Sequence, residues 1–439
     1  MNCLFLDPYK KSCSRISKDT AGGYGTENSI GDDIISILLS LTIKSSVHWP
    51  NLSFMQLIQE FEVHDFHCTY SQKIKSYENN KKNWDAIFIC SSIVCFETEI
   101  NALKSILKTF KNPVFLCGTI SEHLSSHIPS NVCVLSGNYE FFPQYLKKNS
   151  LSFSEVFQDK LLRVPNGNSD SLQIIDYRRK NFPKMKNHFV NVNKFFIPFI
   201  ATRGCPYSCF EYCTYPLSQG RKTHHDDIDS VVKKLSLLAK NYPNSHVVFR
   251  DPVFSINLTR AKELLRKIHL SNLDLDFSAE LHLHNIDDEF ILLCKKARFT
   301  MIKFGIESAF QEIRSDVKRF SVKNDRQKEV IKKLKEFNIK TVGMFILAQP
   351  SDTEESCLST IKYACSLGLD IAQFSIFTPY PGTPYHTKNS TNMNFNKFED
   401  INQYNLVYKH KSLSKKKAKS LLAKAYKTFI MHKILNLLK

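Results

Sequence analysis

The 439-residue sequence contains no apolar run long enough to cross a bilayer, and its first residues lack the pattern of a secretory signal peptide. It also lacks a disulfide framework, because its 13 cysteines are scattered and only three of them lie close together. Secreted disulfide-rich domains instead concentrate cysteines at regular spacings. The sequence therefore predicts a cytoplasmic protein whose thiols are reduced.

Acidic residues are scarce relative to basic ones: 42 Asp and Glu stand against 60 Lys and Arg, which gives a formal net charge of +18. Such an excess can attract nucleic acid, an anionic membrane or a phosphorylated substrate. Lysine is nevertheless abundant along the whole chain, and no basic stripe interleaved with aromatic residues stands out. We therefore attribute the charge to the overall composition and do not expect a nucleic-acid partner.

The densest chemistry in the sequence is a loop with three cysteines. The apolar run Phe195–Ile200 is typical of a buried strand, and the Gly-Cys-Pro sequence that follows cannot continue it. Cys205, Cys209 and Cys213 therefore lie on a loop at the end of the strand. Three thiolates on one loop suit a soft metal centre, either zinc or an iron–sulfur cluster. Three ligands rather than four leave one position open for a substrate or cosubstrate.

The segments Arg203–Cys209 and Tyr212–Pro216 resemble the cluster loop of radical S-adenosylmethionine enzymes, in particular the branch with an N-terminal cobalamin-binding domain. The resemblance implies that the three cysteines hold a 4Fe-4S cluster whose free iron binds the amino and carboxylate groups of S-adenosylmethionine. An electron from the cluster, supplied by an external donor, would cleave this cosubstrate to a 5′-deoxyadenosyl radical. The difficult chemistry would then belong to the cofactors.

The spacing of the cysteines departs from the family pattern. Three residues separate the first cysteine from the second and three separate the second from the third, whereas the family has three and then two, so Phe210 or Glu211 is an extra residue. Two alternatives therefore stay open. One is a zinc-held nucleic-acid-binding protein in which His224 or His225 completes the three cysteines. The other is a family member that has lost catalysis and keeps the fold.

Residues 1–150 alternate strands and helices, which is the pattern of a doubly wound, Rossmann-like parallel sheet with ligands at the carboxyl ends of its strands. The elements that carry this prediction are strands at Cys3–Leu6, Ala86–Cys90 and Pro113–Gly118 and helices at Ile34–Leu41 and Ile100–Phe110. By resemblance, Gly118 and Gly137 lie in the turns that bracket cobalamin. The polar residues 151–194 are predicted to form a linker.

Strands and helices alternate again over residues 195–385, with six strand candidates at 195–200, 246–250, 274–279, 301–305, 340–347 and 371–377. This pattern predicts a partial (β/α)6 barrel, whose active site lies at the carboxyl ends of the strands. Residues 386–439 are predicted as a helical extension. Its last helix, capped by Ser414, has one apolar face and is expected to pack against the barrel, with membrane-surface binding as the alternative.

The resemblance places cofactor contacts directly after the barrel strands. Asp251 follows the second strand, Glu280 the third, and Glu307 and Ser308 the fourth, and these residues would bind S-adenosylmethionine. A carboxylate at such a position can also serve as a helix cap or a first-turn charge.

Two later segments extend the resemblance to the end of the barrel. Ala348 replaces the family's glycine after the fifth strand, and Phe377–Pro384 resembles the proline-fixed turn after the sixth. The sequence thus predicts a radical S-adenosylmethionine enzyme. By resemblance it is cobalamin-dependent and methylates or rearranges an unactivated carbon of its substrate.

Overall fold

The computed structural model describes every residue except 80–82, 180, 192, 321 and 439. Two six-stranded parallel sheets organise the described residues. The first has the order β2-β1-β3-β4-β5-β6 and consists of β1 (Asn2–Leu6), β2 (His67–Ser71), β3 (Ala86–Cys90), β4 (Val114–Cys117), β5 (Cys133–Gly137) and β6 (Leu161–Val164). This order is that of a doubly wound sheet, as the alternating pattern predicts.

The first sheet is built from apolar strands because both of its faces are covered. All five residues of β3 are buried, which is typical of a central parallel strand. The rings of Phe5 and Phe115 stack on Phe88 at 4.8 and 4.9 Å between centroids, which joins three strands. The helices of this part of the chain are α1 (Ile34–Ser46), α2 (Leu52–Val63), α3 (Lys75–Glu78), α4 (Phe96–Leu107), α5 (Thr119–His123), α6 (Phe142–Asn149) and α7 (Phe153–Val156).

The second sheet runs in sequence order and forms the partial barrel. Its strands are β7 (Phe196–Phe199), β8 (Ser245–Phe249), β9 (Leu275–Leu281), β10 (Phe299–Glu307), β11 (Lys340–Leu347) and β12 (Ile371–Ile376). The helices between and after them are α8 (Tyr215–Gln219), α9 (Ile228–Asn241), α10 (Leu258–Leu270), α11 (Asp288–Lys296), α12 (Gln311–Asp316), α13 (Asn324–Glu336), α14 (Glu354–Ser366), α15 (Pro384–Lys388) and α16 (Lys415–Leu437). All six predicted barrel strands are present within two residues of their predicted ends.

The predicted linker, 151–194, contains structure that belongs to the first sheet. β6 pairs in parallel with β5, so the sheet extends beyond residue 150. Further along, Lys186–Asn187 pairs antiparallel with Val47–His48. Several apolar side chains of this segment are buried: Leu172, Ile175, Tyr177, Phe182 and Met185. Because the segment is polar overall, the sequence predicted a linker and did not indicate these buried residues.

The segment between β1 and α1, residues 7–33, reaches from the first sheet to the barrel. Within it Ile16–Ser17 pairs with Thr26–Glu27. Asn28 donates a hydrogen bond to the Tyr404 hydroxyl, and Arg250 after β8 donates to the Asp19 carbonyl at 2.7 Å. Tyr404 follows the edge strand β12, and Arg250 follows β8, the strand beside the opposite edge, so the segment lies across the open side of the barrel between them.

The C-terminal helix packs as its apolar pattern predicts. The Ser414 hydroxyl accepts from the Lys417 amide at 3.2 Å and caps α16, which lies against α14 and β12. The buried face consists of Ala418, Leu421, Leu422, Ala425 and Phe429. Among the described residues, no helix is both long and apolar enough to cross a membrane.

Candidate active site

The cysteine loop is folded back on itself between β7 and α8. A two-residue strand before the first cysteine pairs with His224–His225, and the Cys205 amide donates to the Gly220 carbonyl at 3.1 Å. Gly204 has φ +83°, and a side chain there would lie 2.0 Å from the Lys222 carbonyl oxygen. The start of the loop is therefore fixed by backbone hydrogen bonds and depends on glycine at this position.

The three thiols are withdrawn from solvent, since Cys205 and Cys209 are buried and Cys213 is half-buried. A hydrogen bond shared by Cys209 and Cys213 lowers the pKa of Cys209 to about 6 and raises that of Cys213. Arg319 adds to the lowering of the Cys209 pKa, because its Nη1 lies 3.7 Å from the Cys209 sulfur. The shared hydrogen bond and Arg319 thus both favour the thiolate form of Cys209, which is the form that binds iron or zinc.

The extra residue in the loop is accommodated by a 3₁₀ turn, Ser208–Glu211. Lys318 donates to the Glu211 carboxylate at 2.6 Å and Lys388 at 3.3 Å. The bond from Lys318, followed by that from Lys388, lowers the pKa of Glu211. Two lysines from distant parts of the barrel thus hold the altered stretch of the loop from outside.

The geometry does not favour the zinc alternative. In the part of the chain that the structure describes, no three His, Cys, Asp or Glu side chains are arranged to hold a metal ion. His225 Nδ1 instead lies 3.1 Å from the Thr202 hydroxyl, and His224 is exposed. An iron–sulfur cluster sets a different requirement, because each cysteine binds a separate iron.

Arg319 links the cysteine loop to the fourth barrel strand, and no sequence motif pointed to it. Its Nε lies 3.4 Å from Glu307 Oε1, and the same guanidinium contacts Cys209. Gly305 leaves the room for this pair, because a side chain there would lie 2.4 Å from Glu307 Oε1 and 2.7 Å from Arg319 Nη2. Burial raises the pKa of Glu307, and Arg319 opposes the rise. The predicted carboxylate at the end of β10 is therefore beside the thiols.

Ser308, the next residue, has a different environment from Glu307. Glu307 is in the left-handed backbone region with φ +67°, which redirects the chain after the strand. The Ser308 hydroxyl lies 3.3 Å from the Thr360 hydroxyl and accepts from the Phe310 amide at 3.2 Å. Its side chain is thus engaged by α14 and by the following turn, and a cofactor contact at Ser308 stays a prediction.

Asp251 follows β8 and is almost completely buried, with 1% of its surface exposed. Its Oδ1 accepts from the Ala201 amide at 2.9 Å, which ties the end of β8 to the end of β7. Its Oδ2 has no hydrogen-bond partner among the described residues. Burial raises the pKa of Asp251 to about 7. One oxygen therefore has a structural task, while the other is a buried acceptor that a bound ligand could use.

Glu280 lies in a row of charged side chains on the inner face of the barrel. It is the register partner of Lys303 on β10, and its Oε1 lies 3.3 Å from Arg250 Nη1. Arg250 also contacts Asp19 of the first domain, with Nε 3.1 Å from Oδ2. Glu280 and Lys303 are partly exposed whereas their strand neighbours are buried, which places the row on the barrel interior.

The predicted cobalamin turns line a cavity of about 60 Å³ between the first sheet and α8. Its glycine lining consists of Gly22, Gly23, Gly118 and Gly137. A side chain at Gly118 would lie 2.7 Å from the Ser91 carbonyl oxygen, and one at Gly137 would lie 2.7 Å from that of Val164. Both glycines therefore permit close packing within their own sheet in addition to lining the cavity.

A buried ion cluster lies where the strand order of the first sheet reverses, between β1 and β3. Lys18 Nζ is 2.8 Å from Asp7 Oδ1 and 2.8 Å from Glu99 Oε1, and it donates to the Pro8 carbonyl at 2.8 Å. The side chains of Lys18 and Asp7 have no exposed surface. Open α/β sheets usually bind ligands at this switch point. Here the chain's own lysine occupies part of it.

Two further motif positions connect the loops around the site. Tyr380, in the turn after β12, donates to the Gly25 carbonyl at 2.9 Å, and the Phe377 ring lies 5.4 Å from that of Tyr212 on the cysteine loop. Ala348 has φ +54°, a conformation that glycine adopts without strain. The position that is glycine in the family thus keeps a glycine-like backbone here.

The protein combines a doubly wound sheet with a six-stranded partial barrel and carries three cysteines after the first barrel strand. This is the architecture that the sequence predicts for a radical S-adenosylmethionine enzyme. Residues 199–364 match the model of the Radical SAM superfamily, so the chain carries a radical SAM domain. The resemblance of the cysteine loop to that superfamily is thereby confirmed.

Solved structures share the fold over most of the chain. The methyltransferase TsrM of Kitasatospora setae, described with cobalamin and a [4Fe-4S] cluster, aligns with a TM-score of 0.62 at 14% identity, covering 89% of this chain and 78% of that one. OxsB, described as a cobalamin-dependent S-adenosylmethionine radical enzyme, aligns with a TM-score of 0.60 at 11% identity, covering 98% and 67%. These likenesses confirm the predicted fold.

Sequence relatives cover a shorter part. An uncharacterized methyltransferase of Pyrococcus horikoshii is 30% identical over 243 residues, which are 54% of this chain and 52% of the relative. Bacteriochlorophyllide d C-12(1)-methyltransferase of Chlorobaculum tepidum is 24% identical over 224 residues, or 50% and 48%. The chain thus matches about half the length of these curated relatives.

Proposed function

We propose that this protein is a radical S-adenosylmethionine enzyme, cobalamin-dependent, that methylates an unactivated carbon of a small molecule. The observation that carries the proposal is the set of three thiols on the loop after β7, with Arg319 in contact with both Cys209 and Glu307. Relatives and structural neighbours named as methyltransferases support methylation over rearrangement. Cytoplasmic location and an external electron donor belong to the same proposal.

The residues present fit the first two cofactors. Cys205, Cys209 and Cys213 would hold the 4Fe-4S cluster, whose chemistry is to supply the electron that cleaves S-adenosylmethionine. The unpartnered Oδ2 of Asp251 suits a donor such as the cosubstrate's amino group, and Glu307 lies close enough to the thiols to contact a molecule bound there. Arg319 would keep Glu307 and Cys209 in place, because it contacts both.

Cobalamin would bind between the first domain and the barrel, where Gly118 and Gly137 line the cavity. At about 60 Å³ this cavity is small for a corrin ring. Gly22 closes one side of it by packing on α8, where a side chain at Gly22 would lie 2.9 Å from the Ser218 hydroxyl. Binding therefore requires the glycine loop to move away from α8.

Anaerobic reconstitution tests the cluster. We expect a brown protein that contains iron and sulfide, bleaches with dithionite and cleaves S-adenosylmethionine. Cys209→Ala should lose the cluster, whereas Cys365→Ala, a matched change outside the loop, should keep it. A colourless protein with one zinc per chain would support the zinc alternative, and a protein that takes up neither metal would indicate a non-catalytic member.

Cobalamin needs a separate measurement. The reconstituted protein is incubated with hydroxocobalamin, passed through a desalting column and examined by its visible spectrum. We expect about one cobalamin per chain to be retained after desalting. A chain that holds the cluster but no cobalamin would restrict the proposal to radical S-adenosylmethionine chemistry.

A further inference from the structure

Two cations inside the barrel have no partner. Lys303, on the inner face of β10, makes no hydrogen bond or ion pair with any described residue, although Glu280 is its register partner. Arg15, from the segment that lies across the open side of the barrel, has a buried Nε without a hydrogen-bond partner in the described part of the chain. Both side chains are partly withdrawn from solvent, and a cation withdrawn from water is normally paired, because an unpaired one is costly.

The two cations belong to one environment. Burial lowers the Lys303 pKa to about 8; the charge of Glu280 opposes this fall, and the charges of Arg250 and Arg15 add to it. Burial likewise lowers the pKa of Arg15 to about 10, and Arg250 contributes to that shift. Lys303, on the barrel wall, and Arg15, on the segment from the first domain, are thus near enough for the charge of Arg15 to act on Lys303.

The surrounding carboxylates are already used. Asp19 and Glu280 both bind Arg250, at 3.1 and 3.3 Å. Three cations therefore face two carboxylates, and the positive charge left over lies with Arg15 and Lys303. A surplus of positive charge that is partly withdrawn from water is the counterpart of a ligand with a negative group.

We propose that Arg15 and Lys303 bind an anionic group, carboxylate or phosphate, of the substrate. The inference rests on the proposed radical S-adenosylmethionine activity, since it identifies the barrel interior as the place where the substrate lies. It names the substrate class as acids that present a carboxylate or a phosphate at the row formed by Arg250, Glu280 and Lys303. Arg15 comes from the first domain and Lys303 from the barrel, so the anionic group of the substrate would also join the two domains.

The carboxylate of S-adenosylmethionine is a second negative group in the proposed reaction. Lys303 lies two positions before Gly305 on β10, and Gly305 is the residue in contact with the Glu307–Arg319 pair beside the thiols. The row at Lys303 is thus one layer deeper in the barrel than the layer next to the cysteine loop. This position assigns Lys303 to the substrate rather than to the cosubstrate.

Titration calorimetry with inorganic phosphate and with acetate, at constant ionic strength, tests the proposal. We compare the wild type with Lys303→Met, Arg15→Met and the control Lys362→Met, which removes an exposed lysine of α14. We expect each interior variant to weaken binding of at least one of the two anions tenfold or more, and the control to bind as the wild type. The anion that the wild type binds more tightly identifies the anionic group of the substrate as phosphate or carboxylate. Lys303→Arg, which keeps the charge, should retain measurable binding.

The result that would overturn the proposal is unchanged binding of both anions in both interior variants, or equal weakening in Lys362→Met. Affinity for S-adenosylmethionine, measured on the same reconstituted proteins, separates the two negative groups. A tenfold loss of that affinity in Lys303→Met would assign the cation to the cosubstrate and overturn the substrate assignment. A protein that takes up no cluster would overturn the proposed function. The anion titrations would still measure whether Arg15 and Lys303 bind an anion.

Discussion

Two lysines of this protein show opposite environments for a positive charge withdrawn from water. Lys18 in the first sheet has three partners at 2.8 Å, two of them carboxylates. Lys303 in the barrel has none among the described residues. Because a buried charge without a partner costs stability, Lys18 holds the fold together whereas Lys303 is kept at the expense of stability. A lysine of the second kind is retained for what it binds.

The largest expected effect is that of Lys18→Met, which leaves Asp7 and Glu99 buried without a cation. We expect the free energy of unfolding to fall by about 3–5 kcal/mol. Urea denaturation at neutral pH measures it, with the exposed Lys111→Met as the control. Burial raises the pKa of Glu99, and losing Lys18 raises it further. The folded variant therefore gains protons more readily, so its deficit should shrink as the pH falls. A loss no larger than the control's would show that the ion cluster is dispensable.

Arg319→Met tests an intermediate case, because Arg319 pairs with one carboxylate and one thiolate. We expect a loss of about 2–3 kcal/mol, since Glu307 is left buried without its partner. The pKa of Cys209 should rise, and the iron bound per chain should drop severalfold after reconstitution. The control is Arg266→Met, which breaks an exposed pair with Glu289. Full iron content in Arg319→Met would mean that the guanidinium does not support the thiolate.

Lys303→Met is expected to behave in the opposite way to Lys18→Met. Its free energy of unfolding should be unchanged or higher by up to about 2 kcal/mol, because no partner is lost. The Lys303 pKa is lowered to about 8, so the folded wild type releases this proton before the unfolded chain does. Wild-type stability should therefore rise as the pH increases from about 8 towards the normal lysine value near 10, and Lys303→Met should lack the rise. Urea titrations across that range, with Lys362→Met as the control, check the sign.

The smallest expected effect is that of relieving backbone strain in the barrel, which changes the free energy of unfolding without changing any charge. Ala348→Gly removes the side chain from a left-handed position and should raise the free energy of unfolding by about 0.5–1 kcal/mol. Ala372→Gly, in the extended β12, should instead lower it by about 1 kcal/mol. Thermal denaturation of both variants gives the comparison. Equal losses would show that Ala348 is not strained.

The barrel and the cysteine loop were largely predictable from the sequence. Parallel strands covered on both faces read as continuous apolar runs, and all five residues of β8 are buried. The cysteines are close in sequence, so their spacing alone brings them together. The first sheet beyond residue 150 was less visible, because β6 is a short edge strand with only Val164 fully buried.

The charged residues around the site could not be predicted in the same way. Arg15 and Lys18 lie in a polar segment without hydrophobic periodicity, and their surroundings come from elements far away in the sequence. Arg319 follows a short helix more than a hundred positions after Cys209 and is brought to it only by the closure of the barrel. Local sequence patterns carry no information on such pairings, which depend on tertiary structure.

The segment 7–33 docks on residues that lie far away from it in the sequence. Asn28 binds Tyr404, which is 376 positions further along, and the Glu27 amide donates to the Asn402 carbonyl at 3.2 Å. Contacts this distant in sequence close a long loop and slow folding. The strands of the barrel can therefore pair before this segment docks, and we expect its contacts with the barrel to form after the sheet itself.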